Sequence, residues 1–159
     1  MGHGPDEAAL GVHLRVAWRT LVLAGTPDTQ ILPTLALLLK TDSAGHPGFV
    51  TALDVTIDVD RASVVVRVAG HPAPMRCAHG KTEYLDVQIG PPLGVEAPGA
   101  AAASGLSDWP ETQASLDPGS ALVLYTDGLL DAYAKLVDDA DLDIGELVET
   151  VNSCAVGER

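Results

Sequence analysis

A chain of 159 residues is long enough to bury a core and too short for two ordinary domains, and its apolar content of 47% excludes a disordered polymer. The balance of 9 basic against 22 acidic side chains gives a net charge of -13, which repels nucleic acid and anionic lipid surfaces alike. The same field opposes a phosphorylated substrate unless bound cations or a basic partner face offset it.

After the small-residue turn Gly2-His3-Gly4-Pro5, residues Asp6 to Ala24 read as a helix with two carboxylates in its first turn. Gly11, Arg15 and Arg19 share one narrow stripe, and Leu10, Leu14, Val16, Leu21 and Val22 surround it, so most of this helix is expected to be buried. A second helix is expected after Thr26-Pro27-Asp28, running to about Lys40 with Pro33 near its start. Residues Ile31 to Leu39 are the most apolar stretch and fall well short of the roughly 20 needed to span a bilayer. No basic region followed by an apolar signal core opens the chain, and Cys77 and Cys154 lie far apart in no ligand spacing, so a reducing cytoplasm is the expected setting.

Beyond the turn chemistry of Ser43 to Gly48 the hydrophobic period changes from helical to alternating. Phe49 to Asp58 and Ser63 to Ala69 predict a hairpin around Val59-Asp60-Arg61, and Pro74 to Ala78 and Thr82 to Val87 predict a second around His79-Gly80-Lys81. Gly90 to Pro110, with Pro91-Pro92, Pro98-Gly99 and the alanine run 100–103, reads as a long loop. Glu111 to Leu116 and Ala121 to Thr126 predict a third hairpin across Asp117-Pro118-Gly119-Ser120, followed by helical sequence from Gly128 to about Leu136 and from about Ile144 to Val151. The expectation is one α+β domain over residues 1–159 with antiparallel sheets.

Chemistry concentrates where Leu122-Val123-Leu124-Tyr125 ends in Thr126-Asp127-Gly128, an Asp and a Gly at the junction of an apolar strand and a helix. The strand fixes the carboxylate, and Gly128 permits close approach of a bound ion or phosphate. The competing reading has Asp127 only capping the helix that follows, with Asp131 a solvated carboxylate one turn on. The five histidines, His3, His13, His46, His71 and His79, show no zinc-like pairing, and His71 between Gly70 and Pro72 reads as a structural turn residue in preference to a proton donor. Gly80-Lys81-Thr82 lacks the upstream Gly of a phosphate loop, Cys77 lacks the Arg of a cysteine phosphatase, and no Gly-x-Ser-x-Gly elbow occurs.

Taken in order, Met1-Gly2-His3-Gly4-Pro5, Phe49-Val50-Thr51-Ala52-Leu53, Val68-Ala69-Gly70-His71-Pro72-Ala73-Pro74, Pro91-Pro92-Leu93-Gly94 and Leu124-Tyr125-Thr126-Asp127-Gly128 resemble the blocks of bacterial serine/threonine phosphatases of the SpoIIE/RsbU type, within the metal-dependent PPM (type 2C-like) class. The resemblance implies a four-layer α-β-β-α sandwich of antiparallel sheets flanked by helices. It implies two Mn²⁺ or Mg²⁺ ions held by aspartates, with Asp127 as metal ligand beside Gly128, and Gly2, His3, Gly4 and His71 bordering the site. A metal-activated water would hydrolyse phosphoserine or phosphothreonine on a phosphorylated anti-anti-sigma protein of the STAS type, freeing a sigma factor.

The family's early Gly-Gly-Asp strand, an Asp two residues before the position of Met1 and a final Asp-Asp strand are not matched here, and Asp138-Asp139 comes too soon after Asp127 to replace the last of these. The expectation is therefore a domain incomplete at both termini. By itself it should be a poor phosphatase, while a version extended at both ends should be active with Mn²⁺ and open sheet edges should favour a homodimer. The rival expectation is a catalytically incomplete, phosphatase-like binding or regulatory module that recognises its partner through the Gly90 to Pro110 loop.

Overall fold

The computed structural model describes residues 5–42, 48–60, 62–95, 109–129, 131–132, 148–149 and 152–153. Helix α1, Pro5–Leu23, opens on a proline whose missing N–H costs nothing in a first turn. It closes with Gly25 at φ 71°, the Gly25 N–H donating to Val22 O at 3.0 Å and the Thr26 N–H to Leu21 O at 3.0 Å. These paired bonds satisfy carbonyls that the helix end would orphan. Helix α2, Asp28–Asp42, carries Asp28 in its first turn and contains Pro33.

The expectation that most of α1 is buried is corrected. Only the stripe Leu10, Leu14, Ala17 and Leu21 packs on the core, while Val12, Val16 and Leu23 are 59%, 60% and 78% exposed. Ile31, Leu32, Leu35 and Leu39 of α2 are buried, so α2 supplies the apolar surface of the helical layer and α1 leans on it with one face.

Strands β1, Ala52–Ile57, and β2, Ser63–Ala69, pair antiparallel from Ala52↔Ala69 to Ile57↔Val64, as the alternating pattern predicts. The hairpin of β3, Met75–Ala78, and β4, Lys81–Tyr84, likewise forms, with His79 at φ 52° and Gly80 at φ 75° in its turn. A short strand β5, Ile89–Gly90, lies within sequence read as loop or boundary, and it pairs parallel with β2 over two residues. It is the exception to the otherwise antiparallel sheets.

The third predicted hairpin does not form. Strand β6, Glu111–Ser115, pairs antiparallel with β2, whereas β7, Ala121–Val123, pairs antiparallel with β3. The turn at Asp117 to Ser120, closed by Ser120 N–H donating to Asp117 O at 2.9 Å, carries the chain from one sheet to the other. A turn signal specifies a reversal of direction and not the strand that will be paired.

Two sheets result, one of β1, β2, β5 and β6 and one of β4, β3 and β7. Because alternate side chains leave opposite faces, Val64, Val66 and Val68 meet Leu85 and Leu122 between the sheets, while Ala69 faces Ile31, Leu32 and Leu35 under the helices. On the outer face of the second sheet, Met75, Tyr84, Val123 and Tyr125 gather with Val148, and Asn152 Oδ1 accepts from Thr82 N–H at 2.6 Å. Two helices over the first sheet, with helical residues 148–149 and 152–153 against the second, agree with the expected sandwich. Of the helical sequence predicted from Gly128 to about Leu136 and from about Ile144 to Val151, residues 130, 133–136, 144–147 and 150–151 lie outside the described residues.

Gly94, at φ 89°, stands beside the bridge in which Val50 and Leu93 exchange backbone hydrogen bonds of 3.0 and 2.9 Å. A Cβ there would lie 2.6 Å from Gly48 O, whereas one on Gly119, also left-handed at φ 85°, would meet nothing within 4 Å. Both alanine variants meet the left-handed penalty of about 1–2 kcal/mol, so Gly94→Ala is expected to lower the urea midpoint clearly more than Gly119→Ala. Equal shifts would show that the contact between 48 and 94 is not fixed.

Candidate functional site

Past β7 the chain leaves the sheet edge through 124–126 and enters a helical turn at 127–129, with Leu129 N–H donating to Thr126 O at 3.0 Å. Asp127 is half-buried at this junction, as the motif predicts. A Cβ on Gly128 would meet only Thr126 Oγ1 at 3.5 Å, an ordinary contact, so packing among the described residues does not require glycine there. His71 follows β2, half-buried, with Nδ1 3.0 Å from Pro72 O. Gly70 before it holds φ 62° and abuts Pro92, whose Cγ would lie 2.5 Å from an added Cβ, so here the backbone does demand glycine.

A cleft of about 520 Å³ opens beside this junction. Its walls are Leu124, Tyr125 and Thr126 from the Asp127 approach, His71, residues 50–54 at and just before the start of the edge strand β1, and Gly11, Arg15 and Trp18 of α1. The structure thus brings the segment leading into Asp127 and His71 to one cavity. Gly2, His3 and Gly4, predicted to border the same site, lie outside the described residues, as do Asp138 and Asp139.

Sequence reasoning missed the polar floor of this cleft. Asp54 and Arg67 are register partners on β1 and β2, and both are buried. Arg67 Nη1 donates to Asp54 Oδ2 at 3.1 Å and Nη2 approaches Glu111 Oε1 at 3.1 Å on β6, while Trp18 of α1 lines the same cleft as Asp54. Burial pushes the Asp54 carboxyl above its ordinary value of 3.8, against the opposing pull of Arg67 and Trp18. The available signal was a lone Asp and a lone Arg interrupting strands of otherwise Val, Leu and Ile character.

A hard divalent cation ordinarily requires about six oxygen ligands. Among the described residues no three His, Cys, Asp or Glu side chains converge, and Asp127 is the one matched ligand. Those residues do not by themselves fit a two-ion centre.

Two antiparallel sheets between helical layers, with an Asp-Gly junction opening on a cleft, define the PPM-type phosphatase class of fold. The crystal structure of the RsbU and RsbW domains of Rv1364c from Mycobacterium tuberculosis superposes with a TM-score of 0.73 over 99% of this chain and 41% of that one, at 23% identity. Residues 1–157 match the family of Stage II sporulation protein E, and the chain belongs to this SpoIIE family. The phosphoserine phosphatase RsbP of Bacillus subtilis is 26% identical over 162 residues; the alignment covers 95% of this chain and 38% of that relative's length.

Removing Asp54 leaves the buried Arg67 guanidinium with Glu111 alone as counter-charge, so Asp54→Ala is expected to destabilise the protein in denaturant unfolding by less than the roughly 3–5 kcal/mol of a wholly uncompensated buried charge. The raised carboxyl also fixes a sign. Folding favours its protonated form, so the stability of the wild type relative to Asp54→Asn is fully present below about pH 3.8 and is lost as pH rises through the raised folded value. Urea midpoints of both proteins across the acid range check this; a difference that grows with pH would contradict it.

Proposed function

We propose that this chain is the catalytic part of a protein serine/threonine phosphatase. It would hydrolyse phosphoserine or phosphothreonine on a regulatory protein, a STAS-type anti-anti-sigma factor, in the cytoplasm, with Mn²⁺ or Mg²⁺ as cofactor. The observation that carries this reading is the match of residues 1–157 to the SpoIIE family, and the lining of the cleft by Leu124, Tyr125 and Thr126, which lead into Asp127, supports it. A relative named phosphoserine phosphatase supports the reaction class. A net charge of -13 supports the need for cations, because without them the site's surroundings repel a phosphoryl group. That no described helix is long and apolar enough to cross a membrane is compatible with the proposed location.

In this reading the chain's own residues bind and orient. Asp127 presents an anionic oxygen at a fixed sheet end, Arg15 offers a cation across the cleft, and the apolar walls formed by Leu14, Leu35 and Leu93 limit the water around a bound segment. The second reading, a binding or regulatory module without turnover, is favoured by one observation: the described residues hold no cluster of three candidate ligands.

Phosphate release from a phosphoserine STAS protein, measured on the intact protein that carries this chain, separates the two. The phosphatase reading expects turnover with Mn²⁺ that chelation abolishes, and a loss on the order of a hundredfold in Asp127→Asn. Stable binding of the phosphoprotein without release, or an Asp127→Asn variant that turns over normally, would favour the module.

A further inference from the structure

Helix α1 carries two apolar stripes on opposite sides. Leu10, Leu14, Ala17 and Leu21 are spaced by four, three and four residues and face the core. Val12, Val16, Arg19 and Leu23 repeat the same spacing two positions on, which turns them to the opposite side of a 3.6-residue helix. Their exposure confirms the placement, with Val12, Val16 and Leu23 between 59% and 78% open. Alternating steps of four and three are the seam spacing of helices that pack side by side, yet no described element covers this seam.

The charge beside the seam is as one-sided as its hydrophobicity. From Ala8 to Pro27 the sequence holds no carboxylate, although the chain has 22 acidic residues, and Arg15 and Arg19 lie on or beside the exposed stripe. Neither arginine has an ion-pair partner among the described residues. A helix that needed only solubility in so acidic a chain would carry its polar face as mixed charge. From Ala8 onward the face around Val12, Val16 and Leu23 carries only Arg15 and Arg19 as charges.

We propose that the outer face of α1 is a docking surface for an acidic amphipathic helix of a partner protein, whose apolar seam packs on Val12, Val16 and Leu23 and whose flanking carboxylates pair with Arg15 and Arg19. The inference does not rest on the phosphatase reading, although Arg15 stands at the border of this face and also lines the cleft. A second copy of α1 is the poorer occupant, because a two-fold pair brings the arginines of both copies onto one seam without a carboxylate between them. An anionic membrane is poorer too, since two arginines must draw in a chain of net charge -13.

The probe is a designed peptide of about four heptads with Leu along its seam and Glu flanking it, compared with the same peptide carrying Lys at the flanks. Fluorescence anisotropy with the full chain is expected to show the Glu peptide binding at least about tenfold tighter at 0.1 M salt, with the preference shrinking at 1 M as screening shortens. Val16→Asp should weaken both peptides, and Arg15→Glu/Arg19→Glu should reverse the preference, an outcome that loss of folding cannot imitate. Equal affinity for the two peptides, or binding to neither, would overturn the proposal. So would phosphatidylserine vesicles that bind the chain where the Glu peptide does not, or self-association that Val16→Asp abolishes.

Discussion

Strand β2 is enclosed on all four sides, and the rest of the molecule is arranged around that enclosure. β1 occupies one of its edges, and β6 and β5 share the other. Val64, Val66 and Val68 point between the sheets, and Arg67 and Ala69 point under the helices. A charge inside such a strand must be neutralised where it lies, and the register places Asp54 opposite Arg67, with Glu111 on the other neighbour. A slip of one residue would part the charges and turn the three valines away from the second sheet. The ion pair therefore contributes to register.

The candidate site inherits its geometry from both sheets. His71 follows β2 in the first, and the segment 124–126 that leads into Asp127 follows β7 in the second, so no single element brings them to one cavity. Arg76 on β3 helps to hold the sheets in relation, donating to Ser115 Oγ of β6 at 3.2 Å at the exposed margin and to Glu83 Oε1 at 2.6 Å on its own hairpin. Arg76 and Lys81 hold the Glu83 carboxyl below its usual range, so that side chain remains an anion in mild acid. With α1 laid over β1, the cleft becomes a shared boundary of three layers.

Much of this was legible in the sequence because local rules sufficed. Both helices announce themselves by their first-turn acids and apolar spacing, and the β1–β2 and β3–β4 hairpins by alternation across short turns. The Asp127 junction follows from an apolar run that stops at a helix start. What was not legible depends on partners distant in the chain. Residues 111–116 and 121–126 look like a hairpin from any local window, and only the competition of β2 and β3 for their edges separates them. The exposure of α1 was misjudged because composition counts apolar residues without saying which side of the helix another layer will cover. The Asp54–Arg67 pair was hidden because register across a hairpin decides whether two lone charges in apolar strands meet.

The two tryptophans occupy contrasting surroundings. Trp109 is 8% exposed in the core cluster, with its indole N–H donating to Pro91 O at 2.7 Å, whereas Trp18 is 42% exposed and lines the cleft together with Asp54. Indole emission responds to solvent and to nearby charge, so the two rings form a pair of built-in optical reporters, one for the integrity of the interior and one for events at the cleft. Replacing either with phenylalanine isolates the signal of the other, and with no further tryptophan in the chain the assignment is unambiguous.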